Sequence, residues 1–442
     1  MSAPQPKPLL RTFDIISLIV GTVVGAGIFK APALVASQLD SNWGILGLWA
    51  LGGFISLLGA LCYAELATAF ADVGGEYHFL QMAFGRSLAF LYAWARSTVI
   101  ITGSIAFLGI TLGDYLTPIL PLGPHSATWW AVIATVLLSL LNALGIRQAK
   151  TAQNLFLVVE IAAILAIVVA GVFAHGRVPA DGAVVAAGAT NGAMSGRLGL
   201  AMVFVLLTYG GWNEAAYISA EARDTRRGVL RGLLLGLGAV TGLYLVVNTA
   251  YLLGLGRAGV AASSTPAADL FNLAFGTHSS VLLSAIVAFS CMKSINATIF
   301  FGARSCYALG RDWRIFGWLG EWHACGAPRR AIALQGVIAL ALIFLAVLTR
   351  NGFAAIVEFT APVFWFFIFM VSVSLFVLRR RYPNRPRSFR VPLYPLTPAL
   401  FSLTALWLLW SSLSYTGYGA LVGVAFVAAG LLPIAIERRL SR

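Results

Sequence analysis

The sequence Gly21-Thr22-Val23-Val24-Gly25-Ala26-Gly27-Ile28-Phe29 falls in the middle of the first long apolar stretch, with Pro32 just beyond. Glycine weakens helical order and proline brings no amide, so the spacing predicts a helix that unwinds here and bares its own polar groups. An unwound backbone can act as a ligand. The amides of Gly25, Ala26 and Gly27 suit an anionic group, and neighbouring carbonyls suit a cationic one. The same glycines would also let two helices approach closely, a reading that this stretch alone leaves open. A second polar, glycine-bearing interruption, Thr208-Tyr209-Gly210-Gly211-Trp212-Asn213, lies in a later apolar run.

Four ionisable side chains fall near or within these apolar runs: Lys30 after the first break, Glu160, Glu214 after the second break, and Lys293. A charge at a membrane centre costs about 2.5–3.5 kcal/mol on insertion scales, so each is expected to be paired or functional. Two acids and two bases balance. Glu160 with Lys293 is the expected pair, and the competing reading makes Glu160 a proton carrier with a burial-raised pKa. Glu65 and Glu221 read as solvated or loop-capping carboxylates, Arg96 as a snorkelling or capping residue, and Asn248 as an interhelical hydrogen-bonding residue.

The elements that must position these groups follow from composition. The chain has 442 residues, 59% hydrophobic and 10% charged, where a soluble domain carries roughly 25% charged. This is an all-α integral membrane pattern. Segments long enough to cross about 30 Å of hydrocarbon lie near 13–37, 43–70, 87–117, 127–145, 152–174, 198–220, 230–256, 279–309, 331–349, 353–378, 396–414 and 417–437, predicting twelve transmembrane helices in a single transmembrane domain over 1–442. The start, with Lys7 and Arg11 ahead of Phe13, resembles no removable signal peptide. The formal net charge of +14 sits at segment ends, which points away from nucleic acid and toward topology. With the N-terminus inside, the cytoplasmic ends hold most of the 30 basic residues, against Arg177, Arg197, Arg257 and Arg350 outside. Both termini are then cytoplasmic.

Helices 1 and 6 each carry a break, and each begins a group of five. Five is odd, so the two groups would cross in opposite senses as inverted repeats over 13–174 and 198–378, followed by two extra helices over 396–437. Gly74-Gly75-Glu76-Tyr77 leads into a short amphipathic helix ending at Gly85, and 175–197 reads as an outer loop. The four cysteines suggest no disulfide framework, and the five histidines form no metal cluster. No nucleophile–base pair appears, so an enzyme is disfavoured and no cofactor is expected.

These motifs resemble the amino acid–polyamine–organocation superfamily, within it the L-type amino acid transporter branch and its bacterial relatives. The resemblance covers Gly21–Pro32, Cys62-Tyr63-Ala64-Glu65-Leu66, Gly74-Gly75-Glu76-Tyr77 through Gly85, Asn142-Ala143-Leu144-Gly145 with Gln153-Asn154, Tyr209–Asn213 with Glu221, and Phe289-Ser290 through Asn296 to Arg304. It implies a LeuT-type fold that moves amino acids across a cell membrane, a bacterial inner membrane by its relatives, through alternating access. It also implies that Gly25, Ala26 and Gly27 amides hold the substrate carboxylate, and that carbonyls at Val23 and around Leu207 hold its ammonium. Tyr209, Gly211 and Asn213 complete the expected site. The partners implied are an amino acid and the bilayer, with possible proton coupling and at most a weak homo-oligomer.

Three departures stand out. The branch places Ser at Ala26, an aromatic gate at Leu207, and Lys in helix 5 where this chain has Glu160. Lysine there substitutes for sodium in sodium-independent members, and Lys293 leaves open a transfer of that charge to helix 8. The first reading is thus an amino acid exchanger or proton symporter, independent of sodium. A polyamine or cationic amino acid transporter of the same fold is the alternative, with Glu160 or Glu214 facing the extra charge. A sensor, or a light subunit of a larger complex, is disfavoured by the short loops.

Overall fold

Long apolar runs in lipid have one stable open-ended form, the helix, because it satisfies backbone groups within its own segment. The computed structural model describes residues 20–21, 23–25, 27–72, 74–144, 161–176, 194–214, 227–323, 327–347, 352–416 and 418–440, and among these there are helices and turns but no strand. In chain order the helices are α1 (Gly27–Ala36), α2 (Asn42–Ala69), α3 (Glu76–Phe84), α4 (Arg86–Leu116), α5 (Ser126–Leu144), α6 (Ile161–Ala174), α7 (Met194–Thr208), α8 (Arg227–Ala262), α9 (Pro266–Phe275), α10 (Thr277–Asp312), α11 (Arg329–Val347), α12 (Gly352–Arg381), α13 (Leu396–Thr416), α14 (Tyr418–Ala429) and α15 (Leu431–Leu440).

Nine spans among the described residues are long and apolar enough to cross a membrane, α14 and α15 together making one of them. Each overlaps a segment expected from sequence. Three shorter apolar helices, Gly27–Ala36, Ile161–Ala174 and Gly196–Thr208, lie where helices 1, 5 and 6 were expected. The short helix after Gly75 is present as α3. An additional short helix, α9, opens on Pro266 and precedes α10. Proline suits the first turn, where its missing amide would have had no partner anyway.

Packing against α4 places α10 and α5 beside it, while α8 lies along α2 and α12 along α13. Small residues set the spacing. At Gly171 of α6, a Cβ would come within 2.7 Å of the Ala250 Cα in α8, the kind of approach that holds helices together where lipid supplies no hydrophobic drive. Large apolar side chains such as Leu140, Val172, Leu253, Leu403 and Trp410 are instead exposed. On a lipid-bathed surface that is their favourable place.

Glu65 of α2 corrects half of its sequence reading. It does cap a loop, accepting the Val391 amide at 2.7 Å, but it is fully buried and not solvated. Arg379 at 2.5 Å and Arg387 at 3.3 Å supply the counter-charge. Asn248 also differs, since its amide donates to the Tyr244 carbonyl of its own helix at 2.8 Å and, among the described residues, not across helices. Glu221 lies outside the described residues.

Candidate functional site

Two helix interruptions meet at the centre. The first segment ends with the Val24 amide bonded to the Val20 carbonyl at 2.8 Å, and α1 begins at Gly27. As the first residue of a helix, Gly27 offers an amide with no partner inside that helix. Ala26, the third of the expected amides, lies outside the described residues. On the facing segment α7 ends at Thr208, and a short 3₁₀ turn, Trp212–Glu214, follows. Between them Gly211 takes φ 108°, a left-handed geometry that side chains disfavour.

A single hydroxyl joins the breaks. Tyr244 of α8 lies 2.8 Å from the Val23 carbonyl and 3.1 Å from the Thr208 carbonyl. One phenolic proton can serve one of those oxygens at a time. Each carbonyl also has two lone pairs, so acceptor capacity remains at both breaks for a bound ammonium. From the other side, the Lys293 ammonium of α10 donates to the Val24 carbonyl at 2.8 Å and is 1% exposed. Glu160, its expected partner, lies outside the described residues.

Between the breaks lies a cavity of about 230 Å³. Val23, Gly25, Gly27, Leu207, Gly211 and Asn213 all line it, together with Glu214. Phe107 and Leu108 of α4, Phe301 of α10 and Phe364 of α12 supply apolar walls. Tyr209 does not line it: fully buried, it donates to the Trp49 carbonyl at 3.0 Å and packs edge-on to Tyr244. Its place is in the support behind the break.

Arg96 overturns the snorkelling and capping reading most completely. It is 3% exposed and lines the cavity. A π-turn, Arg96–Ile100, interrupts α4 here, a feature that often marks functional sites. The guanidinium reaches three elements: Nη2 to Glu214 at 2.6 Å, Nη1 to Glu76 at 3.4 Å, and Nε to Ser305 at 3.0 Å. Glu76, at the start of α3, also accepts from Tyr63 at 2.6 Å, from Asn213 at 3.2 Å and from Tyr92. Two buried carboxylates thus share one guanidinium. Sequence gave signals for this cluster, namely a charged Glu after the double glycine and an Arg one helical turn beyond Tyr92, but neither identified the partner.

The remaining sequence-singled residue, Lys30, pairs with Asp114 of α4 at 2.5 Å. The balance of two acids with two bases is therefore not self-contained, because Lys30 and Glu214 both find partners outside that set. Asn296 accepts from the Asn142 amide at 2.8 Å, linking α10 to α5.

A family model described as amino acid permease matches residues 10–431. The b(0,+)-type amino acid transporter 1 of Homo sapiens is 29% identical over 94% of this chain and 85% of its own length. The cystine/glutamate transporter of Homo sapiens is 27% identical over 96% of this chain and 85% of its own length. A bacterial relative, the serine/threonine exchanger SteT of Bacillus subtilis (strain 168), is 27% identical over 93% of each chain.

Proposed function

The chain belongs to the amino acid permease family, and from that premise we propose that it carries amino acids across a cell membrane by alternating access, as an exchanger or a proton symporter, without sodium. The carrying observation is one cavity lined by Val23, Gly25 and Gly27 from the first break and by Leu207 and Gly211 from the second. Amides at Gly25, Ala26 and Gly27 would hold the substrate carboxylate. Carbonyls at Val23 and around Leu207, Thr208 included, would take its ammonium, a zwitterion fitting between half-helix ends of opposite partial charge. On this reading the architecture is two inverted five-helix repeats, 13–174 and 198–378, with helices 11 and 12 over 396–437 and both termini cytoplasmic.

Sodium independence is supported by Lys293. Its ammonium already sits on an unwound carbonyl, that of Val24, which is the kind of acceptor a coupling cation would otherwise seek. A transporter of cationic amino acids or polyamines is the second reading, favoured by the surplus carboxylate where Glu76 and Glu214 face Arg96.

Uptake of a labelled amino acid panel into proteoliposomes tests the proposal, run with and without internal substrate, sodium and a pH gradient. Uptake stimulated by internal amino acid supports exchange, and uptake driven by the pH gradient supports symport. Sodium-driven uptake overturns the coupling reading. Failure of every amino acid with efficient polyamine uptake would select the second reading.

A further inference from the structure

We propose that Glu214 determines which side chains the protein carries, its Oε2 accepting a hydrogen bond from a donor at the end of the substrate's side chain. This deepens the transport reading and rests on it. Glu214 lines the central cavity, and its two oxygens are treated differently. Oε1 receives the Arg96 guanidinium at 2.6 Å, whereas Oε2 is buried and has no hydrogen-bond partner. Leaving a buried carboxylate oxygen without a donor is costly.

Among the described residues, most of the side-chain donors that line the cavity are already engaged. Arg96 spends its other nitrogens on Glu76, Tyr92 and Ser305. Asn213, which also lines the cavity, donates to Glu76. The hydroxyls of Ser104, Thr208 and Thr298 each donate to a carbonyl of their own helix. A donor that arrives with the cargo would meet that need. An amino acid whose carboxylate and ammonium are held at the two breaks has only its side chain left to offer. The cluster of Glu76, Glu214 and Arg96 carries a net formal charge of minus one, so an ammonium is the strongest donor it could receive and a hydroxyl a weaker one.

Pairs of substrates that differ in the donor test this directly: lysine against norleucine, and threonine against valine, each competing for uptake into proteoliposomes. The donor-bearing member of at least one pair should be preferred about tenfold or more, the range of a hydrogen bond to a charged group. In Glu214→Gln the amide oxygen can still face Arg96 while the NH₂ faces the cavity, so donor meets donor and the ratio should fall to near unity. Glu214→Asp keeps the charge opposite Arg96 but withdraws the oxygen by one methylene, and it should lower the ratio as well.

A parent with no donor preference overturns the proposal, and so does a transporting Gln variant with the parent's ratio. If the Gln variant does not fold, a parental ratio in the Asp variant has the same force. A Gln variant that loses pH dependence yet keeps the ratio would make Glu214 a proton site and not a selector. Absence of any amino acid uptake by the parent would instead remove the transport reading itself.

Discussion

Lys293 on α10 and Val24 in the first break are joined by a 2.8 Å hydrogen bond from ammonium to carbonyl, so a buried cation is fixed to the segment that is expected to bind substrate. Lys293→Met removes that cation and should abolish uptake. If Glu160 is its second partner, the single neutralisations Glu160→Gln and Lys293→Met should each cost about 3–5 kcal/mol by stranding the other charge. The double variant should then be less damaged than either. Folded yield and uptake at two pH values, read over the whole cycle, check this; additive defects would separate the two residues.

Gly25 and Gly27 differ in what a side chain would meet. A Cβ on Gly25 would come 2.9 Å from the Ser294 hydroxyl, the end of a small side chain, whereas one on Gly27 would come 3.1–3.3 Å from Thr208 atoms that include its Cα. Gly25→Ala should therefore weaken uptake and be rescued by adding Ser294→Ala. Gly27→Leu should insert in the membrane and transport nothing, with no comparable rescue. Near-normal transport by Gly27→Leu would return both glycines to a packing role.

Arg96 forms ion pairs with both Glu76 and Glu214. Arg96→Met should destabilise the protein by about 3–5 kcal/mol, since it removes the guanidinium that two buried carboxylates share. Lysine should not rescue it, because a point charge cannot reproduce the planar fork that reaches three elements at once. Thermal unfolding of the detergent-solubilised protein measures the loss, and an Arg96→Lys variant as stable as the parent would contradict it.

Helix placement was legible because apolar length is a local property: every span from α2 to α15 overlaps a run visible in the sequence. The breaks were legible for the same reason, Gly25, Gly27 and Gly211 being marked by residue type. Pairing was not. Arg96 lies 118 positions from Glu214, and Lys30 lies 84 from Asp114. Which charges meet depends on how helices cross, which no local pattern encodes. Tyr209 shows the limit from the other side, since its motif marked it correctly as belonging to the break but could not say that its ring turns toward Trp49 and away from the cavity.

Tyr244 gives the sharpest test of the ammonium site. Its hydroxyl lies within hydrogen-bonding distance of Val23 and Thr208 carbonyls, so it ties together the two unwound ends that would have to receive the substrate's ammonium. Tyr244→Phe keeps the ring, which packs against Trp49 and Tyr209, and removes only the tie. One buried neutral hydrogen bond is worth about 1 kcal/mol net, so folded protein should remain abundant. Substrate binding should suffer more than folding, because carbonyls held in place by the hydroxyl become free to turn away and must be ordered again by the ligand. The half-saturation concentration for uptake should rise by about fivefold or more, a shift of roughly 1 kcal/mol, with the maximal rate per folded molecule changed less. Measuring both against the amount of reconstituted protein separates affinity from yield. An unchanged half-saturation concentration, with normal folding, would show that these two carbonyls do not receive the ammonium.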